Sequence, residues 1–210
     1  MKQTPLTAEY FDTIVEEAAE ILRVGGVVLY PTDTLYGLGA DAFSNAAVAK
    51  VQKIKGRDEK KPIHCIVADM EMAAQYGDIS PYAKILATQF WPGPLTLVMR
   101  KKAQVNTGIA RGIETIGIRV PDNEFCLALA HSFGKPFTTT SANITGKETG
   151  ATVSEILEQF GERAAYVDLA IDGGALPPHT RSTVVDVRDE PCILREGAVS
   201  AEDIARALAR

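Results

Sequence analysis

Apolar residues at helical spacing, Phe11, Ile14, Val15, Ala18, Ala19, Ile21 and Leu22, predict a helix over residues 9–24. Gly25-Gly26 ends it where a left-handed cap is needed. The run Val27-Val28-Leu29-Tyr30 reads as a strand that stops at Pro31, which has no N–H for a sheet ladder, so residues 31–39 are expected as a loop at a strand end. The same alternation continues along the chain. Helices are predicted over 45–54, 69–76, 80–90, 123–133, 153–160 and 201–208, the third opened by Ser80 as cap and Pro81 in the first turn. Strands are predicted over 63–67, 95–99, 115–120, 137–140, 166–171, 183–187 and 192–194, where β-branched and aromatic residues gather between turn formers. Residues 100–114 are the longest stretch without a period.

Helices alternating with strands indicate an α/β or α+β fold, a mixed sheet with helices packed on it. A length of 210 residues with no repeat or low-complexity linker fits a single domain over 1–210. With 46% hydrophobic and 23% charged residues the composition is that of a soluble globular protein. No apolar run approaches the roughly 20 residues that span a bilayer, so no membrane partner is expected. The first residues lack the basic start and apolar stretch of a secretory signal, which makes the cytoplasm the expected compartment. Cys65, Cys126 and Cys192 are far apart and set among apolar neighbours, and are expected as reduced, buried thiols. A net charge of −5 argues against a surface dominated by nucleic-acid binding but leaves room for local basic patches.

Small polar and basic residues stand beside the strands, and no Ser/His/Asp order or Cys/His cluster offers an activated nucleophile. Chemistry here would rest on positioning and charge stabilisation, which suits phosphate and nucleotide reactions. The familiar phosphate loops are absent: Gly37-Leu38-Gly39 lacks the further glycine of a dinucleotide fingerprint. Lys55 and Arg57 flank Gly56, and in extended backbone both side chains would share a face and suit a polyphosphate. A solvated charged loop after a helix is the plainer reading of residues 53–61. Ser141 and Asn143 lie two apart past a strand, where ligands of open α/β sheets bind, though Ser-x-Asn is also a common Asx turn or helix cap. Arg119, among apolar strand residues, needs a carboxylate, a phosphate or solvent, and Asp41 or Asp186 would serve as a structural partner. His64, His131 and His179 have no ligand-type neighbours at metal spacing and read as exposed or core imidazoles, so no protein-held metal is expected.

Seven strings occur in order: Tyr30-Pro31-Thr32-Asp33-Thr34-Leu35-Tyr36-Gly37-Leu38, Lys55-Gly56-Arg57, Trp91-Pro92-Gly93-Pro94-Leu95-Thr96, Ile116-Gly117-Ile118-Arg119-Val120-Pro121, Thr140-Ser141-Ala142-Asn143, Arg181-Ser182-Thr183-Val184-Val185-Asp186 and Arg195-Glu196-Gly197. With them, from about residue 11 to 198, the chain resembles the YrdC-like threonylcarbamoyl-AMP synthases. The resemblance implies a twisted mixed β-sheet with flanking helices enclosing a deep, positively lined cavity. It implies synthesis of threonylcarbamoyl-AMP from L-threonine, bicarbonate and ATP with release of pyrophosphate, magnesium entering with ATP. The product would serve threonylcarbamoyladenosine modification beside the tRNA anticodon, with tRNA or threonylcarbamoyl-transfer enzymes as partners. By motif match, Thr34, Arg119, Thr139 and Ser182 would hold threonine, its carboxylate meeting Arg119. Lys55, Arg57, Thr115, Ser141, Asn143 and Arg195 would hold ATP, with Lys55 and Arg57 as the catalytic cations. Longer members carry a histidine in the strand after Lys-x-Arg, to which His64 is not expected to correspond. They also carry a second C-terminal domain, so this chain resembles the short, single-domain form. The competing expectation is an RNA- or nucleotide-binding module of the same fold without synthase activity.

Overall fold

Capping decides where most helices begin. In the structure, a computed structural model that describes residues 1–56, 62–177 and 180–209, side-chain oxygens of Ser44, Asp69, Ser80, Asn123, Thr152 and Ser200 each accept a backbone N–H three residues on. They open α2 (Asn45–Lys55), α3 (Met70–Tyr76), α4 (Pro81–Phe90), α5 (Glu124–Phe133), α6 (Val153–Phe160) and α7 (Ala201–Leu208). Helix α1 (Phe11–Arg23) has no side-chain cap and depends on its apolar face, Ile14, Val15, Ala18, Ala19 and Leu22, all buried. That face packs with Phe125, Leu129 and Phe133 of α5 over Tyr30, Ile66 and Phe137. No helix among the described residues is long and apolar enough to cross a membrane.

The strands form two mixed sheets. One has the order β1-β8-β2-β3, from Lys2–Pro5, Leu169–Asp172, Val28–Tyr30 and Gly37–Gly39. The other has the order β10-β9-β5-β6-β4-β7, from Cys192–Arg195, Thr183–Asp186, Leu95–Arg100, Thr115–Arg119, His64–Ile66 and Phe137–Thr139. Their edges β3 and β7 meet along a seam. Leu38 N–H donates to Thr140 O, Thr138 N–H to Ala40 O, and Ala142 N–H to Tyr36 O. The Thr138 hydroxyl completes the seam: it donates to Leu38 O at 2.9 Å and accepts from Ala40 N–H at 3.0 Å, fully buried. Tyr30 Oη donates to Thr138 O at 3.1 Å, so β2 is tied to the same point.

Several expectations are corrected. Residues 37–39 are a strand and not part of a loop. Its glycines hide it from strand propensity, yet they are what the place needs, since a Cβ on Gly37 or Gly39 would come within 2.9 Å of the Tyr30 ring. Strand β1, too polar to be predicted, is an edge strand held by parallel pairing to β8. Residues Gly161–Tyr166 form a 3-10 segment where the strand of 166–171 was expected to begin, and β8 starts at Leu169. Cys65 and Cys126 are buried, which pushes their thiols above the ordinary range, but Cys192 lies exposed on edge strand β10. Residues 100–114 are partly ordered by the 3-10 turn Gly108–Ala110, where Ile109 N–H donates to Ala42 O.

Thr138→Val keeps the shape of the side chain but strands two buried backbone groups, each worth about 1–3 kcal/mol when unpaired. Urea denaturation should show a loss of about 2–4 kcal/mol. A midpoint equal to that of the unmodified chain would remove the hydroxyl from the seam's account.

Candidate active site

Strand register sets the floor of a cavity. Thr96 of β5 is paired with Arg119 of β6 and with Val184 of β9, which is paired in turn with Arg195 of β10. Because partners in register share a face, Arg195, Thr96 and Arg119 stand in one row across the sheet. The next row of that face carries Val98, Gly117, His64 and Thr139. Over these rows the seam holds the segment 32–37 against the turn at 141–143, and α2 ends beside them at Lys55. The cavity measures about 460 Å³. Among the described residues its wall carries five basic side chains, Lys55, Arg119, Lys147, Arg181 and Arg195, against one carboxylate, Glu148.

Arg119 is almost wholly buried, and each of its nitrogens is engaged. Nε donates to Gly93 O at 3.0 Å, Nη1 to Thr34 Oγ1 at 3.1 Å, and Nη2 meets Asp33 Oδ1 at 2.5 Å. Thr34 is itself steadied by Thr32, oxygen to oxygen 3.0 Å. The expected partners do not reach it: Asp41 faces Lys135 at 3.7 Å and Asp186 pairs with Arg188 at 2.6 Å. Asp33, the neighbour of Thr34 in the same loop, satisfies the guanidinium instead. A buried ion pair of this kind returns little net stability, but leaving either charge alone would be costly. Three of the five guanidinium donors are used in these contacts.

Lys55 is only 3% exposed. Its ammonium donates to Ser141 O at 2.5 Å and to Asn143 O and Oδ1, both at 3.0 Å. Ser141 Oγ donates to Asn143 Oδ1 at 2.5 Å, while Asn143 Nδ2 donates to the carbonyls of Ile144 and Lys147. The Ser-x-Asn turn is therefore folded around a cation, and its polar groups are tied to Lys55 rather than capping a helix. Lys55 is helical and Gly56 is left-handed, with φ 57°, so the extended backbone expected across Lys55-Gly56 is not what forms. Arg57 lies outside the described residues, as does His179.

Arg195 donates from Nη2 to Ser182 O at 2.9 Å and to Ser182 Oγ at 3.1 Å, and Ser182 Oγ lies 3.2 Å from Thr96 Oγ1. Burial, then the neighbouring charges of Arg181 and Arg119, pull the Arg195 guanidinium below its usual range. It stays protonated. The neighbouring arginines add to the effect of desolvation, and an anion in the cavity would relieve their repulsion.

Of the residues expected from the sequence, Thr34, Lys55, Arg119, Thr139, Ser141, Asn143, Ser182 and Arg195 all line this one cavity. Thr115 does not. It lines an adjoining hollow of about 230 Å³ that shares Pro62, Ile63 and His64 with the main cavity. His64, expected as an exposed or core imidazole, lines both spaces, whereas His131 is exposed on α5. Thr96 and Arg181 are further wall residues that the sequence reading missed. Their signal was weak: one polar residue in an apolar strand, and one basic residue beside Ser182. Among the described residues no group of three or more His, Cys, Asp or Glu is placed to hold a metal ion.

The family model covering Sua5, YciO and YrdC, described as "Telomere recombination", matches residues 20–197. The chain is 35% identical over 193 residues to the threonylcarbamoyl-AMP synthase of Pyrococcus abyssi, covering 91% of this chain and 56% of that protein. It is 38% identical over 188 residues to the putative threonylcarbamoyl-AMP synthase of Methanocaldococcus jannaschii, covering 89% of this chain and 86% of that protein. The crystal structure of P. abyssi Sua5 complexed with L-threonine superposes with a TM-score of 0.88 at 33% identity, over 99% of this chain and 60% of that one. The chain thus spans little more than half the length of the first of these relatives. With the model match running through all the strands of the cavity floor, the chain belongs to the Sua5/YciO/YrdC family.

Proposed function

We propose that the chain forms threonylcarbamoyl-AMP from L-threonine, bicarbonate and ATP, releasing pyrophosphate. The observation that carries this reading is the division of one cavity into two anion-holding ends. Arg119 with Thr34 offers a forked donor set of the size of a carboxylate. Lys55, the Ser141-Asn143 turn and Arg195 offer a spread of cations and donors suited to a triphosphate. Kinship with proteins named threonylcarbamoyl-AMP synthase, and with a relative complexed with L-threonine, supports the same assignment.

In this reading Arg119 and Thr34 hold the threonine carboxylate, with Thr139 and Ser182 orienting the rest of the amino acid. The amine lone pair attacks the carbon of bicarbonate, water leaves, and a carbamate forms. A carbamate oxygen then attacks the α-phosphorus of ATP as the bond to pyrophosphate breaks. No side chain supplies a nucleophile, so the barrier is lowered by alignment and by charge set in place beforehand. Lys55 and Arg195 stabilise the charge that moves onto the phosphates, Arg57 does so as the motif match implies, and Thr115 meets the nucleotide at the adjoining hollow. One carboxylate among hydroxyl, amide and cationic groups suits a magnesium ion carried by the nucleotide, which would neutralise charge on the leaving pyrophosphate. The product would pass, in the cytoplasm, to enzymes that transfer the threonylcarbamoyl group to tRNA.

Incubation with ATP, magnesium, labelled bicarbonate and L-threonine should yield labelled threonylcarbamoyl-AMP that requires every component. Folded protein that binds ATP but makes no product would shift the reading to a nucleotide- or RNA-binding module. Lys55→Met removes the charge that organises the turn, and kcat/KM for ATP should fall by about 100-fold or more. An unchanged kcat/KM would exclude Lys55 from the phosphate end. Arg119→Lys loses the fork while keeping the charge, so KM for L-threonine should rise by about 10- to 100-fold with kcat less affected. A KM that stays put would place the threonine carboxylate elsewhere.

A further inference from the structure

Gly117 lies mid-strand in β6, where glycine normally weakens a sheet. Its backbone does not call for glycine, since it is absent from the positive-φ positions. The reason lies on the neighbouring strand. A Cβ on Gly117 would stand 2.9 Å from Cγ and 3.1 Å from Nε2 of His64, and nearer still to Cδ2, well inside contact distance for ring atoms. The imidazole therefore lies across the bare backbone of β6. From there it forms the wall common to the main cavity and to the hollow that contains Thr115.

We infer that Gly117 is a positioning residue: its missing side chain sets the orientation of His64, and with it the shape of the space in which the ligands meet. Any side chain at 117 would lift the ring off β6 and turn it into one of the two spaces. The inference rests on the reading of this cavity as the active site, although the placement of the ring is independent of the reaction.

The test compares Gly117→Ala in two backgrounds. With ¹³C-labelled histidine, and His64 assigned by its loss in His64→Ala, the substitution should move the His64 ring resonance and leave those of the other two histidines in place. Catalytic efficiency should fall about tenfold or more in the wild-type background. In the His64→Ala background the same change should alter it less than about twofold, because the two positions act as one unit. Where the single variant loses melting temperature, the double variant should regain it. An unmoved His64 resonance, or an equal cost in both backgrounds, would overturn the inference. Should the unmodified chain make no product, the synthase reading fails, and the resonance and melting measurements still decide the role of Gly117.

Discussion

Two sheets joined through a side-chain hydroxyl are the constraint on which the site depends. Between β3 and β7 the backbone ladder is incomplete, and Thr138 Oγ1 fills the gap by pairing with Leu38 and Ala40. This fixes the distance between the segment that carries Thr34 and the turn that carries Ser141 and Asn143. Thr34 is carried by the four-stranded sheet, whereas Arg119, Arg195 and the Ser141-Asn143 turn belong to the six-stranded one, so the seam helps set how Thr34 stands over them. Hydroxyl bonding is directional, so Thr138 reinforces the register that the backbone bonds of the seam set.

The cavity wall is strongly cationic, and Arg119, Lys55 and Arg195 are each held by a different device. Arg119 has the carboxylate of Asp33, Lys55 has a cage of three oxygen atoms, and Arg195 has the carbonyl and hydroxyl of Ser182. The first of these is an ion pair. Carbonyl, amide and hydroxyl dipoles around Lys55 and Arg195 fix where those charges stand. The charge is thus pre-aligned for an anion, and little rearrangement of the wall is needed when one arrives.

Much of this fold was legible because it rests on local rules. The cap at Ser80 and the apolar spacing of α1 placed those helices to within a residue or two. Strand β3 was not legible, because its glycines answer to the Tyr30 ring, a contact between residues that sequence spacing does not pair. The partner of Arg119 was misjudged for a similar reason: Asp33 is 86 residues away and reaches it only through a loop folded over another sheet. The set of cavity residues was read from motif order, but the way Lys55 serves the turn was not. Its direction comes from the end of a helix, whereas the spacing argument assumed extended backbone. His64 was passed over because its meaning depends on a bare glycine on the adjacent strand, which has no trace in the residues around it.

Lys55 and Arg119 are buried inside a molecule whose net charge is −5. Arrival and retention of an anion are therefore governed by opposite fields. At long range a phosphate-bearing molecule meets repulsion, which salt screens over about 8–10 Å at ordinary ionic strength. Once inside it meets Lys55 and Arg119, whose burial shields them from that screening. Moderate salt thus speeds capture while leaving the hold on the captured anion nearly untouched, the reverse of a protein that gathers polyanions on an exposed basic face.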